Sequence, residues 1–192
     1  MDKAVETASY GLCLFSLEVV LDFLKREKVR SKKLLDVFEK NHDRYLSSLK
    51  EGVWFPIPEI NSVGYVIKLE GYDQPFCEKW EQRFECGKFN IQVKNGLWIA
   101  DIGHFLEFDK NELVGNEASY QTLDGITIYS GHKYDVLPGK YLVTVNGFVR
   151  KEPLAYPGVN YGFSFSLAKA EGFAGYNDPR ENEIYAFNIA NM

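Results

Sequence analysis

Glycine and proline are distributed very unevenly along the chain. Residues 1–50 contain Gly11 and no proline, whereas residues 51–192 contain the remaining glycines and all 7 prolines. Both residue types interrupt helices and mark turns, so long helices are confined to the N-terminal part. The distribution predicts a helical segment followed by a longer region of short elements joined by frequent turns.

Two apolar stripes at helical spacing run through the N-terminal part. The first is followed by cations at positions 25–30, which suit the negative end of a helix dipole. Ser31 is a plausible N-cap for the second, and Gly52 follows it. The stripes predict an αα-hairpin over about residues 8–50. Their apolar positions are Leu14, Leu17, Leu21 and Leu24, and then Leu34, Leu35, Phe38, Tyr45, Leu46 and Leu49.

From Trp54 onward, short runs rich in valine, isoleucine, tyrosine and phenylalanine alternate with glycine and proline, which is typical of strands. Asn95-Gly96 suits a tight turn, and it predicts a hairpin between Phe89–Val93 and Leu97–Ile102. No intervening stretch is long enough for repeated helical crossovers, so we expect antiparallel pairing. The other predicted strands are Gly64–Leu69, Ile126–Ser130, Tyr141–Val149, Tyr161–Leu167 and Ile184–Ile189.

These patterns predict an α+β fold. The N-terminal αα-hairpin is expected to pack on an antiparallel β-sandwich, or a curled sheet, of about seven strands over about residues 53–190. No internal repeat and no low-complexity linker divides the chain, so residues 1–192 are expected to form a single domain.

Charge and cysteine content limit the classes of function. The chain has 22 basic and 27 acidic residues and a net charge of -5, which disfavours a nucleic-acid partner because phosphate binding needs clustered cations. Glu18 and Asp22 interrupt the apolar run at residues 8–24, which argues against an export signal or a membrane segment. With 3 cysteines, too few for a disulfide-stapled module, a cytoplasmic protein is predicted.

Motifs for cofactor binding and catalysis do not occur in the sequence. Glycine-rich phosphate loops are missing, and the cysteines and histidines lack the paired short spacings of a zinc site, so we expect no cofactor and no metal. If residues 101–109 were extended, alternation would place His104 on the face opposite the nearby carboxylates. No catalytic residue is therefore predicted.

An excess of acidic residues between positions 101 and 124 is the feature that most directly suggests a function. Lys110 is the single cation among six acidic residues there. Opposite charge speeds the encounter of two proteins and orients them, so we predict that this acidic strip binds a basic protein partner. Its members are Asp101, Glu107, Asp109, Glu112, Glu117 and Asp124.

Two other functions remain open at this point. One is a small hydrolase with His104 or His132 as general base. The other is a ligand- or sugar-binding β-sandwich that uses Trp54, Trp80 or Trp98 as a stacking platform.

Three segments resemble the small competence-associated nuclease inhibitors of bacteria. They are Phe89–Ile102, Tyr134–Val145 and Glu183–Ile189. In that family, acidic β-rich chains block a nuclease. The resemblance implies a non-enzymatic immunity or inhibitor protein that occludes the cationic cleft of a partner such as a toxin nuclease.

Overall fold

A computed structural model describes residues 2–181 and 184–191 of the protein. The described residues form three α-helices, all in the N-terminal part: α1 (Leu17–Arg26), α2 (Leu34–Lys40) and α3 (His42–Lys50). Each helix buries one mainly apolar face, and most of its polar residues lie outside that face, as in an amphipathic surface helix.

Five strands form the first sheet, and one pair of them is parallel. Their spatial order is β1 (Ala4–Glu6), β4 (Gly64–Leu69), β10 (Tyr161–Ala170), β9 (Gly139–Arg150) and β5 (Trp80–Val93). Strands β4 and β10 run parallel, and the other neighbours are antiparallel. Strand β10, which comes last in the sequence, therefore lies at the centre of the sheet.

A second sheet of five strands is antiparallel throughout. Its spatial order is β3 (Trp54–Pro58), β2 (Gly11–Phe15), β6 (Leu97–Asp101), β8 (Thr127–Tyr134) and β7 (Glu117–Gln121). Strand β7 lies at one edge and pairs with β8 alone among the described strands.

The elements stack as two sheets and a layer of helices. Side chains such as Phe165 of β10 and Leu14 of β2 fill one apolar core between the two sheets. The opposite face of the second sheet packs on the helices through a second core that includes Trp98 of β6 and Phe23 of α1. Every layer therefore buries apolar side chains against its neighbour, which is the main stabilising term in such folds.

The α+β class is confirmed, and the predicted αα-hairpin is matched only in outline. Gly11–Phe15, which we assigned to the first helix, is strand β2 and is buried along its whole length. The predicted second helix is divided at Asn41, whose side chain accepts a hydrogen bond from the backbone N–H of Arg44 at 3.0 Å and caps α3. Gly52 ends this region with a φ of 67°, as expected.

Three predictions about the strands are wrong in detail. The turn at Asn95-Gly96 does not close a hairpin, because β5 belongs to the first sheet and β6 to the second. The β4–β10 pair is parallel rather than antiparallel. Ile184–Ile189 consists of a turn, irregular chain and the start of a 3-10 helix, and Glu183 lies outside the described residues.

The sheets contain ten strands among the described residues rather than about seven. The additional ones include β1, β3 and β7, which are short and lie at sheet edges. No helix within residues 2–181 and 184–191 has the length and apolarity needed to cross a bilayer.

Candidate functional site: an acidic cleft beside an exposed hairpin

The segment after β6 turns sharply instead of continuing as a strand. Asp101 ends the strand and accepts the backbone N–H of Gly103 at 3.0 Å, which caps a 3-10 helix at Ile102–Phe105. Its second carboxylate oxygen accepts the backbone N–H of Ala8 at 3.2 Å. The alternation that placed His104 opposite the carboxylates is therefore wrong, because a 3-10 turn has a period of three.

Phe105 anchors this turn in the core beneath the helices. Its side chain is fully buried, and its ring stacks on Trp54 with 4.7 Å between centroids and meets the edge of Phe15 at 5.2 Å. Phe108 follows against the same cluster, 5.8 Å from Phe105. The polar residues between and beside these two rings are thereby directed outward.

Asp109 starts a second short 3-10 helix at Lys110–Glu112. Its carboxylate accepts the backbone N–H of Asn111 at 2.9 Å and a hydrogen bond from Lys32 at 3.1 Å. These contacts hold the pKa of Asp109 below its usual value. The Lys32 contact also ties the segment to the chain just before α2.

Four of the six predicted acidic residues line one open cleft of about 330 Å³, which we call the acidic cleft. Lys32 is the cation among the described lining residues, and His104, Tyr120 and Ser130 also line the wall. With the imidazole neutral, the lining carries an excess of three negative charges. The four carboxylates are Asp101, Glu107, Asp109 and Glu112.

The remaining two predicted residues lie outside the cleft. Glu117 on β7 has a carboxylate oxygen 3.6 Å from Nδ1 of His132. Asp124 lies in the turn between β7 and β8, where it accepts a hydrogen bond from the Thr122 hydroxyl. The predicted strip is therefore two groups: the cleft and an acidic margin on the β7–β8 hairpin.

His104 contacts Ser130 through a β-bulge in that hairpin. The register of the β7–β8 pair skips Ser130, between Gly131 and Tyr129, and the bulge redirects its side chain. Nε2 of His104 lies 3.0 Å from the Ser130 hydroxyl, and Nδ1 lies 3.6 Å from a carboxylate oxygen of Glu112. Serine, histidine and carboxylate thus stand in series.

Burial is the largest influence on the pKa values of His104 and Asp101 in the cleft. It lowers the pKa of His104, although the carboxylates of Glu112 and Asp101 act in the opposite direction. It raises the pKa of Asp101, although backbone N–H groups of Gly103 and Ala8 oppose the rise. The His104 imidazole is therefore neutral at pH 7, and the charge of the cleft comes from its carboxylates and Lys32.

Several exposed apolar side chains belong to the chain segments that border the cleft. Most lie on the loop after the 3-10 helix or on the β7–β8 hairpin, and Tyr120 also lines the acidic cleft. Large exposed apolar side chains concentrated beside a charged cleft are typical of a protein-binding surface. The set consists of Leu106, Val114, Tyr120, Leu123, Ile126 and Tyr129.

The tryptophans named as a stacking platform are not available for it. Trp54 and Trp98 lie in the core beneath the helices, with 2% and 1% of their surface exposed. Trp80 is covered by Phe76, whose ring centroid is 4.7 Å away, and by the guanidinium of Arg150 at 4.8 Å. A sugar site built on these three side chains is therefore excluded.

Sequence reasoning missed Lys32, Tyr120 and Ser130 as cleft residues. No local motif marks them, because each comes from a different segment that tertiary packing brings to the cleft. His132, the other candidate base, is 4% exposed and hydrogen-bonds to the backbone carbonyl of Ala4 at 3.0 Å, which is a structural role. The described residues contain no group of three or more metal-ligating side chains that could hold an ion.

Comparisons of the chain with models of protein families, with curated proteins and with solved structures find no match. We therefore infer the function from the geometry of the cleft and its surroundings.

Proposed function

We propose that the protein is a non-enzymatic binding module whose acidic cleft receives cationic side chains of a basic protein partner. The observation that carries this proposal is the convergence of Asp101, Glu107, Asp109 and Glu112 on one open cleft with a single lysine among them. Glu107 and Glu112 are exposed at its rim, where an incoming guanidinium or ammonium group can reach their carboxylates.

The charges and the apolar side chains have separate tasks in this proposal. The carboxylates attract and orient a cationic surface before contact, which raises the association rate. Tyr120, Leu123 and Ile126 then supply desolvated contact area on the hairpin, and such anchors usually account for most of the affinity. The proposed mechanism is occlusion: the bound module covers the cationic cleft of its partner.

We propose that the basic partner is a toxin nuclease and that binding inhibits it. Nucleases bind phosphates through cations, so a nuclease active site offers the complementary charge. The sequence resemblance of three segments to bacterial nuclease inhibitors implies the same class of partner.

Charge reversal tests the proposal. Glu107→Lys/Glu112→Lys reverses the cleft rim, and Glu152→Lys/Glu171→Lys makes the same change in net charge at exposed positions elsewhere. Wild type and both variants are immobilised, and bound proteins from the native host are identified and titrated. We expect a basic nuclease to bind wild type and the control variant, with association to the cleft variant slowed at least about tenfold. Equal association with both variants would overturn the assignment.

A small hydrolase is the second candidate, favoured by the Ser130–His104–Glu112 series. The Ser130 hydroxyl oxygen would attack an acyl carbon while its proton passes to Nε2 of His104 and then to the leaving alcohol. The surrounding carboxylates oppose this reaction, because they destabilise the oxyanion that forms. Also, the Ser130 hydroxyl donates to the carbonyl of Ala118 at 3.3 Å and would have to rotate.

The two candidates are distinguished by covalent labelling. A fluorophosphonate probe marks an activated serine, and Ser130→Ala removes the target. Labelling of wild type that disappears in Ser130→Ala would support the hydrolase. We expect no labelling of Ser130.

A further inference from the structure

The outer face of the first sheet carries a row of polar side chains across three strands. Lys68 of β4 is paired with Ser164 of β10, and Ser164 is paired in turn with Asn146 of β9. Directly opposed side chains in a sheet lie about 5 Å apart, so the three polar groups form a continuous line. Ser166 extends the row along β10 on the same face.

Aromatic rings form a wall beside this row. Phe76, from the loop after β4, stacks on Phe148 of β9 with 4.4 Å between ring centroids. The Lys68 ammonium lies 5.1 Å from the centre of the Phe76 ring and donates to the backbone carbonyl of Gln74 at 2.7 Å and to Asp2 at 3.0 Å. The loop is thereby held over the sheet, and a pocket remains between them.

The pocket has a volume of about 380 Å³ and is lined by the polar row and by both phenylalanines. This volume lies within the range of small-molecule sites. Ser164 and Ser166 are half-buried there, and neither hydroxyl has a hydrogen-bond partner among the described residues. Two half-buried hydroxyls beside an aromatic wall offer a ligand polar and apolar contacts side by side.

We propose that this pocket binds a neutral sugar, with its C–H groups against the parts of Phe76 and Phe148 that line the pocket and its hydroxyls on Ser164, Ser166 and Asn146. A sugar offers both an apolar face and several donors and acceptors, so it satisfies the two parts of the lining together. The site lies on the first sheet, whereas the acidic cleft is built on the second sheet and the segments after β6. The proposal is therefore independent of the proposed function.

Charge and polarity distinguish a sugar from other small ligands. The Lys68 charge is already compensated by Asp2 at 3.0 Å, and the carboxylates of Glu70 and Asp73 also line the pocket, so an anion gains little there. A purely apolar ligand would leave the serine hydroxyls buried without partners, which costs affinity. A neutral polyol avoids both penalties.

Amide NMR titration of the full chain with glucose, galactose and N-acetylglucosamine tests the proposal. At millimolar sugar we expect saturable shifts for Ser164, Ser166 and Asn146 with at least one of the three. The variant Ser164→Val/Ser166→Val lacks both hydroxyls, and valine favours the strand conformation. It should bind the sugar about tenfold more weakly than wild type does. Ser119→Val, the same exchange on β7, is the matched control and should bind as wild type does.

Three outcomes would overturn the assignment. The first is that none of the three sugars shifts the pocket resonances. The second is that the double-valine variant binds as tightly as wild type while keeping a dispersed spectrum. The third is that octanoate, an anionic probe with an apolar chain, shifts these resonances when the sugars do not.

Discussion

Nε2 of His132 lies 3.0 Å from the backbone carbonyl oxygen of Ala4, and this hydrogen bond joins a strand of one sheet to a strand of the other. Ala4 belongs to β1 of the first sheet and His132 to β8 of the second. Nε2 therefore carries the proton in the neutral imidazole, and Nδ1 faces the Glu117 carboxylate at 3.6 Å.

Acidification should destabilise the protein through its two buried histidines. Burial lowers the pKa of both His104 and His132 in the folded protein, so the unfolded chain binds protons first as the pH falls. The free energy of unfolding should therefore decrease between about pH 7.5 and pH 5.5, by at most about 1.4 kcal/mol per pH unit for each histidine. Urea denaturation across this interval measures the slope.

The double variant His104→Gln/His132→Gln should flatten this dependence. The raised pKa values of Asp101 and Glu6 have the opposite effect on the free energy of unfolding. At these two carboxyl groups the folded protein binds protons before the unfolded chain does, so it gains stability as the pH falls through their range. A slope that is equally steep in wild type and the double variant would contradict the histidine assignment.

Truncation of Phe105 should cost much more stability than truncation of its neighbour. Phe105→Ala removes a fully buried ring that contacts Trp54 and Phe15, and such changes cost about 3–5 kcal/mol. Leu106→Ala, at an exposed position in the same turn, should change the free energy of unfolding by less than about 0.5 kcal/mol. Similar losses in both variants would show that the turn is not anchored by Phe105.

Removal of Lys32 should change the ionisation of Asp109 only in part. The backbone N–H of Asn111 is the larger cause of the low pKa of Asp109, and the Lys32 ammonium is the second. In Lys32→Ala, NMR titration of the carboxyl carbon should therefore give a higher pKa that still lies below the usual value. Lys110→Ala, which removes a cation that forms no ion pair with Asp109 among the described contacts, should leave this pKa unchanged.

The cysteines should react with a thiol reagent in three separate phases. Cys77 is exposed and should react first, whereas burial, assisted by Glu85, raises the pKa of Cys86 to about 11 and slows its reaction. Cys13 is fully buried and its pKa is raised by burial and then by Asp101, so it should react only after unfolding. Mass spectrometry of the labelled peptides checks the order, and Cys77→Ser should abolish the fastest phase.

Local patterns predicted those elements whose apolar spacing reflects a single buried face. Tyr141–Val149, where buried and half-buried residues alternate within β9, and the helical residues before Gly52 are examples. The secondary structure of Gly11–Phe15 was predicted wrongly because both faces of this strand are buried. A short continuous apolar run has the same sequence pattern in a buried strand and in a buried helix.

Long-range pairing could not be predicted from neighbouring residues. The Asn95-Gly96 turn was recognised, but the sheet that each flanking strand joins is decided by distant partners such as β9 and β2. In the same way, the carboxylates of the cleft were identified, whereas the contact of His104 with Ser130 needed both a 3-10 turn and a β-bulge. Neither irregularity has a signal in residue spacing alone.

The central position of β10 has a consequence for how the chain is completed during synthesis. β4 leaves the ribosome long before β10, yet only β10 connects it to β9 in the finished sheet. Until Tyr161–Ala170 emerges, the β1–β4 pair has no further strand partner in its own sheet, and two strands alone have little stability. Truncated chains that end before β10 should therefore be degraded by proteases faster than the full chain. The first sheet can form completely only after β10 has been synthesised.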